Sequence, residues 1–133
     1  KGVLIMKYIL ILMLSFFVLS NQAYSKPPIF TDEYSAAQTM SKDLKLDIII
    51  VFGADWCKYC KELKKDLTVN QQKLSDKIFL FIDTDKQGEI ARKYQVKSIP
   101  ASFYLKNSEV ISNKTGYSNM QNYLKWMNDA NNN

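Results

Sequence analysis

Hydrophobic residues are arranged along the chain as one long apolar run followed by short β-branched runs that alternate with amphipathic stretches. Tyr8 to Leu19 reads YILILMLSFFVL without a charge, preceded by Lys7 and followed by the small and polar SNQAYS. A basic start, an apolar stretch of ~7 to 15 residues and a small-residue cleavage site are the three parts of a secretory signal peptide. Ala23-Tyr24-Ser25 supplies the third. Residues 1–25 are therefore expected to be a signal peptide cut after Ser25, with translation starting at Met6. An uncleaved membrane anchor is the competing reading, but Lys7 interrupts the ~20 apolar residues that a spanning helix needs.

The remainder, residues 26–133, is expected to be a single domain. Lys26 to Phe30 is a proline-containing entry, and Thr31-Asp32-Glu33 starts a helix that continues to about Leu44. DIIIVF, Asp47 to Phe52, is a continuous β-branched run that suits a parallel strand buried on both faces. Lys58 to about Leu67 places Leu63 and Leu67 four apart among charges, the pattern of a helix with one buried side. IFLFID, Ile78 to Asp83, predicts a second buried strand. Gln87 to Tyr94 is a helix with Ile90, Ala91 and Tyr94 on one face. Ala101 to Leu105 and Glu109 to Ser112 pair as a hairpin around Lys106-Asn107-Ser108. A last helix spans about Ser118 to Asn128, burying Leu124, Met127 and Tyr123. This order predicts an α/β fold whose central mixed sheet, parallel strands plus a C-terminal antiparallel hairpin, is flanked by helices.

Charge and composition narrow the chemistry. The chain of 133 residues carries a net charge of +5, and loss of residues 1–25 removes two lysines and no acid, leaving +3. The lysines are scattered rather than gathered in one stripe, so no nucleic-acid partner is expected. No histidine is present, which removes the Ser-His-Asp triad, the Cys-His dyad and every histidine-ligated metal site. One dense basic cluster stands out: Lys58, Lys61, Lys64 and Lys65 surround the only two cysteines, Cys57 and Cys60.

Two cysteines placed at random in 133 residues would rarely fall three apart. These two follow the first predicted strand, and ligands of α/β folds gather at the carboxyl ends of the parallel strands. Cys57 falls at the N-cap or first turn of the next helix, where unpaired N–H groups and the helix dipole favour an anion. A thiol pKa drops there from ~8.5 towards ~7 or lower, and Lys58 and Lys61 are expected to act in the same direction. Cys57 is then the nucleophile towards a substrate disulfide, and Cys60, one turn on, resolves the mixed disulfide. Three alternatives remain open on residues alone. They are a structural disulfide, a four-thiolate zinc site shared by a dimer, and a non-catalytic binding module such as an assembly factor or holdase.

Ala54-Asp55-Trp56-Cys57-Lys58-Tyr59-Cys60-Lys61, with Ile82-Asp83, Ser98-Ile99-Pro100 and Gly116, resembles a thioredoxin-family protein from Phe30 to Asn128. Within that family the sequence is similar to small secreted thioredoxin-like proteins and to the C-terminal domain of the thiol:disulfide interchange protein DsbD. The resemblance implies a thioredoxin-like fold with four or five strands, an exposed nucleophile Cys57, a buried resolving Cys60, and Pro100 as a cis-proline facing the pair. A cis X-Pro bond is a retained feature of tight turns, and a proline there frees the Ile99 backbone to pair with an extended substrate. Trp56 is expected to shield the dithiol and offer a flat apolar contact; Trp56, Ile99 and Pro100 together form the substrate-binding set. Two departures from the family stand out. Val51 occupies the place of a buried aspartate, and the lysine that partners it aligns with Phe79. Cys60 then sits above an apolar floor, harder to ionise by desolvation, and its resolution calls for a water or Glu62.

Other motifs weigh less. Asp83 to Gly88 imitates the start of a calcium loop, yet the twelfth position is Tyr94 where a bidentate glutamate is required. Asn113-Lys114-Thr115 is a sequon read as a loop. Tyr117, Tyr123 and Trp126 are read as packing of the last helix rather than a surface platform. The function expected is that of a secreted or periplasmic thiol:disulfide oxidoreductase. It acts as a monomer on protein disulfides, more as reductant than oxidant, with no metal or organic cofactor. A membrane or soluble thiol protein supplies its electrons, and the membrane is met only through an uncleaved leader.

Overall fold

The computed structural model describes residues 1–19 and 26–132. Its elements are α1 (Gly2–Leu19), β1 (Ile29–Thr31), α2 (Tyr34–Leu44), β2 (Asp47–Gly53), α3 (Lys58–Val69), β3 (Lys77–Asp83), α4 (Gly88–Lys93), β4 (Ala101–Lys106), β5 (Glu109–Thr115) and α5 (Met120–Asn132), with one turn of 3-10 helix at Gln71–Lys73. The five strands form one sheet in the order β1-β3-β2-β4-β5. β1, β3 and β2 run parallel, whereas β4 and β5 are antiparallel.

β2 is central because every residue from Ile48 to Phe52 is buried, and branched side chains fill a sheet covered on both faces. Alternation along the strand sorts them. Ile48, Ile50 and Phe52 pack with Ile78, Leu80 and Ile82 of β3 beneath Ala37 of α2 and Ala91 of α4. Ile49, Val51 and Phe79 pack on the other face against Leu63 and Leu67 of α3 and Tyr123, Met127 and Ala130 of α5. Leu63 and Leu67 are fully enclosed, a burial worth ~1.5 to 3 kcal/mol for each such side chain.

The strand and helix order follows the hydrophobic pattern, with three differences. First, Ile29–Thr31 is a strand rather than an entry segment, paired through Ile29 with Ile78, and α2 starts only at Tyr34. Three residues are too few to show alternation; the sheet edge and the stacking of Phe30 on Phe79 and Phe81, at 5.5 and 6.0 Å, hold them. Second, β5 extends to Thr115, so Asn113-Lys114-Thr115 lies in a strand. Asn107 and Ser108, with φ of 52° and 68°, form the two-residue turn in the left-handed region that twisted hairpins favour. Third, α5 starts at Met120 and reaches Asn132. The Asn119 side chain accepts the Asn122 N–H at 2.9 Å, a capping bond, and the burial of Ala130 carries the helix through its polar tail.

α1 covers the apolar run, and its described side chains from Val3 to Leu12 are exposed. Among the described residues no helix is long and apolar enough to cross a membrane. The expected cut after Ser25 lies outside the described residues.

Candidate active site

β2 ends at Gly53, and Ala54-Asp55-Trp56 turns the chain into α3. Cys57 is the N-cap of that helix, with an extended backbone (φ −82°, ψ 109°), and its sulfur accepts the Cys60 N–H at 3.2 Å. The sulfur thus takes the place that a serine or aspartate oxygen takes in an ordinary cap. A hydrogen bond from Cys57 N–H to the Ala54 carbonyl, 3.1 Å, fixes the turn. Cys57 and Cys60 form a disulfide with their Cα atoms 5.2 Å apart. Once that bond opens, a Cys57 thiolate inherits both the N–H donor and the positive end of the helix.

The expected contrast between an exposed Cys57 and a buried Cys60 is not observed. The two are 7% and 8% exposed, bonded to each other and buried in one cluster with Ala54, against which Ile99 packs. What is open is the rim. Trp56 is 70% exposed, which excludes a core role, and its indole N–H donates to Asp85 Oδ2 at 2.9 Å. Asp85 follows β3, so the indole is tied across two loops. Lys86 Nζ lies 3.1 Å from Asp83 and 3.2 Å from Asp55. Burial acts to raise the Asp83 carboxyl, but the Lys86 side chain and the backbone N–H groups of Asp85 and Lys86 outweigh it and hold its pKa below the ordinary 3.8. Hydrogen bonds to Asp83 and Asp55 raise the Lys86 ammonium above its ordinary 10.5.

The Ile99–Pro100 peptide is cis. Ile99 touches the cysteine cluster, while buried Pro100 offers its carbonyl to Gly116 N–H at 2.7 Å. Gly116 has φ of 82°, a conformation that glycine adopts at no steric cost. Of the two lysines expected to tune Cys57, Lys58 instead extends along the helix to Glu62 at 3.9 Å and lies 5.9 Å from the Tyr59 ring centroid. Lys61 lies on the cavity shared with Cys60.

That cavity, about 300 Å³, opens beneath the disulfide and is lined by Val51, Gly53, Cys60, Lys61, Lys64 and Phe81 among others. The floor is apolar as expected, but Val51 stands opposite Phe81, whereas Phe79 stands opposite Ile49. Glu62 is absent from the cavity wall and faces Lys58, so it is not the polar group beneath Cys60. Gly53, Lys64, Phe81 and Asp85 are site residues that the sequence reading missed. Strand register, invisible in one sequence, brings Phe81 and the loop that carries Asp85 to the dithiol; Lys64, one turn after Cys60 on α3, left a trace as a member of the basic cluster. Tyr123 and Trp126 pack in the core as expected, the indole donating to Ser112 at 2.9 Å. Among the described residues no cluster of cysteines and carboxylates is arranged to hold a metal.

Sulfurs placed this way exchange disulfides, and the molecule is a thiol:disulfide oxidoreductase. Residues 30–129 match the thioredoxin family, and the chain belongs to it. Thioredoxin of Bacillus subtilis (strain 168) is 35% identical over 88 residues, 65% of this chain and 81% of that one. An H-type thioredoxin of rice, Oryza sativa subsp. indica, is 32% identical over 76 residues; the match spans 57% of this chain and only 62% of the rice protein's length. The N21Q mutant thioredoxin of Halobacterium salinarum superimposes with a TM-score of 0.65 over 83% of this chain and 96% of that chain, at 20% identity, a likeness of fold.

Proposed function

We propose that this protein is an exported reductant of protein disulfides. The observation that carries the reading is the Cys57 sulfur capping α3 beside Cys60, beneath a rim of exposed Trp56 and half-buried Ile99. In the reduced protein the Cys57 thiolate attacks a substrate disulfide, forming a mixed disulfide and expelling one substrate thiolate. Cys60 attacks the Cys57 sulfur next and expels the second. Two electrons pass to the substrate, the Cys57–Cys60 disulfide forms, and a dithiol donor outside the cell membrane resets it. Both electrons reside on the two sulfurs, so the cycle calls for no cofactor.

Trp56, tied by Asp85, supports the reading as a flat apolar contact for a visiting chain. Ile99 lies outside the sheet ladder, and no hydrogen bond among the described residues uses its backbone, which leaves that edge for an extended substrate segment. The exposed apolar helix α1 supports export, and the released protein is expected to begin at Lys26.

Insulin reduction with a chemical dithiol as donor tests the reading. Wild type is expected to turn over, Cys57→Ser to lose activity, and Cys60→Ser to accumulate mixed disulfides. Absence of wild-type turnover, with partner binding that survives both substitutions, would contradict it. A reduction potential near roughly −270 mV is expected for a reductant, against roughly −120 mV for an oxidant. N-terminal sequencing of the exported form checks the leader; retention of residues 1–25 would refute its cleavage.

A further inference from the structure

We propose, on the basis of that reading, that Lys64 is a positioning residue for the resolving step: from the wall of the cavity beneath the disulfide it favours the Cys60 thiolate. Resolution needs Cys60 as an anion. Cys60 is 8% exposed and packs with Ala54, Cys57 and Ile99, and removing a thiol from water disfavours the charged form. Some group must offset that cost, and the floor cannot, since Val51 and Phe81 carry no charge. The charged groups that line the cavity are Asp32 after β1, Asp55 before α3, Lys61 and Lys64 on α3, Asp83 at the end of β3, and Lys86 beyond it.

Most of these are committed. Asp83 accepts from the backbone N–H groups of Asp85 and Lys86, and Lys86 is shared between Asp83 and Asp55. Lys61 and Lys64 form no ion pair among the described residues, and of the two only Lys64 is anchored at the floor. It stands four residues after Cys60 on α3, one turn away on the same side, with Nζ 4.9 Å from the centroid of the Phe81 ring. A cation over an aromatic face is held there by the ring quadrupole. Phe81 is the neighbour of Val51 in register, so the ring that forms the floor also anchors the charge.

In the mixed disulfide, the Cys60 S–H releases its proton to water in the open cavity. The thiolate attacks the Cys57 sulfur, the Cys57–substrate S–S bond breaks, and the departing substrate thiolate takes a proton from solvent. Lys64 supplies charge and exchanges no proton.

Stopped-flow reaction of the reduced full-length protein with one equivalent of 5,5′-dithiobis(2-nitrobenzoate) separates the two steps. The first release of thionitrobenzoate reports attack by Cys57, and the second reports resolution by Cys60. In Lys64→Met the pH midpoint of the second release is expected to rise by ~1 unit, which slows resolution roughly tenfold below the midpoint; the midpoint of the first release stays in place. Lys64→Arg, which keeps the charge over Phe81, is expected to restore the second midpoint. An unchanged second midpoint in Lys64→Met, or no rescue by arginine, overturns the role of Lys64 while leaving the oxidoreductase reading intact. A wild-type protein that releases one equivalent and never the second overturns that reading and the role of Lys64 together.

Discussion

At Gly53 the missing side chain makes room for the resolving cysteine: a Cβ built there would stand 3.1 Å from Cys60 Cβ and 3.2 Å from its sulfur. Gly53→Ala is an overpacking change, and such changes cost ~1 to 3 kcal/mol. The oxidised form is expected to lose more than the reduced form, because the disulfide prevents Cys60 from turning away. Urea unfolding of both forms checks this, and equal losses would refute it. The Cys57–Cys60 pair stood out in the sequence because its three-residue spacing is local, whereas Trp56, Ile99 and Pro100 were implied by the thioredoxin resemblance. Asp85 and Phe81 were not legible, because what each touches is decided by the β2–β3 register and the loops it brings together, and the approach of Gly53 to Cys60 depends on how the turn into α3 packs.

α3 presents the dithiol because its far side is anchored. Leu63 and Leu67 lie on the sheet face occupied by Val51 and Phe79, which fixes the axis on which Cys57 is the first cap. Truncating Leu67 to alanine leaves a cavity in a site with no exposed surface, and such losses cost ~2 to 5 kcal/mol. Denaturant midpoints for Leu67→Ala are expected to fall accordingly, while the exposed Lys65→Ala should change stability by less than ~0.5 kcal/mol. The period of α3 and the β-branched runs of β2 and β3 were strong enough to read directly. β1 was too short to carry a period of its own, and the ends of α5 depend on Asn119 capping and on burial of Ala130, which no local propensity reveals.

Across the whole molecule, the loop before α3 and the loop after β3 are joined where Thr84 N–H donates to the Gly53 carbonyl at 2.8 Å and where Lys86 links Asp83 with Asp55. The folded-state pKa of Asp83 lies below its ordinary 3.8. Its contribution to stability is therefore complete above the ordinary 3.8 of the unfolded chain and is lost as pH falls from there through the lower folded-state value. Asp83→Asn is expected to lower Tm at neutral pH and to flatten the acid limb of the Tm–pH curve; a variant with an unaltered acid limb would refute the link. Lys86 has the opposite sign: its raised pKa gives stability that is present below 10.5 and lost as pH climbs beyond it. At this scale the α/β order and the mixed sheet were legible from hydrophobic pattern alone. The enclosure of both sulfurs was not, since it depends on Ile99 arriving from a distant loop.

A direct measurement for the dithiol is the ultraviolet titration of thiolate absorbance in the reduced protein, with Cys60→Ser to isolate Cys57. Capping of α3 by the sulfur predicts half-ionisation near pH ~7 or lower, well below the ~8.5 of a free cysteine. A midpoint at or above the free value would contradict a helix-stabilised nucleophile and the disulfide exchange built on it.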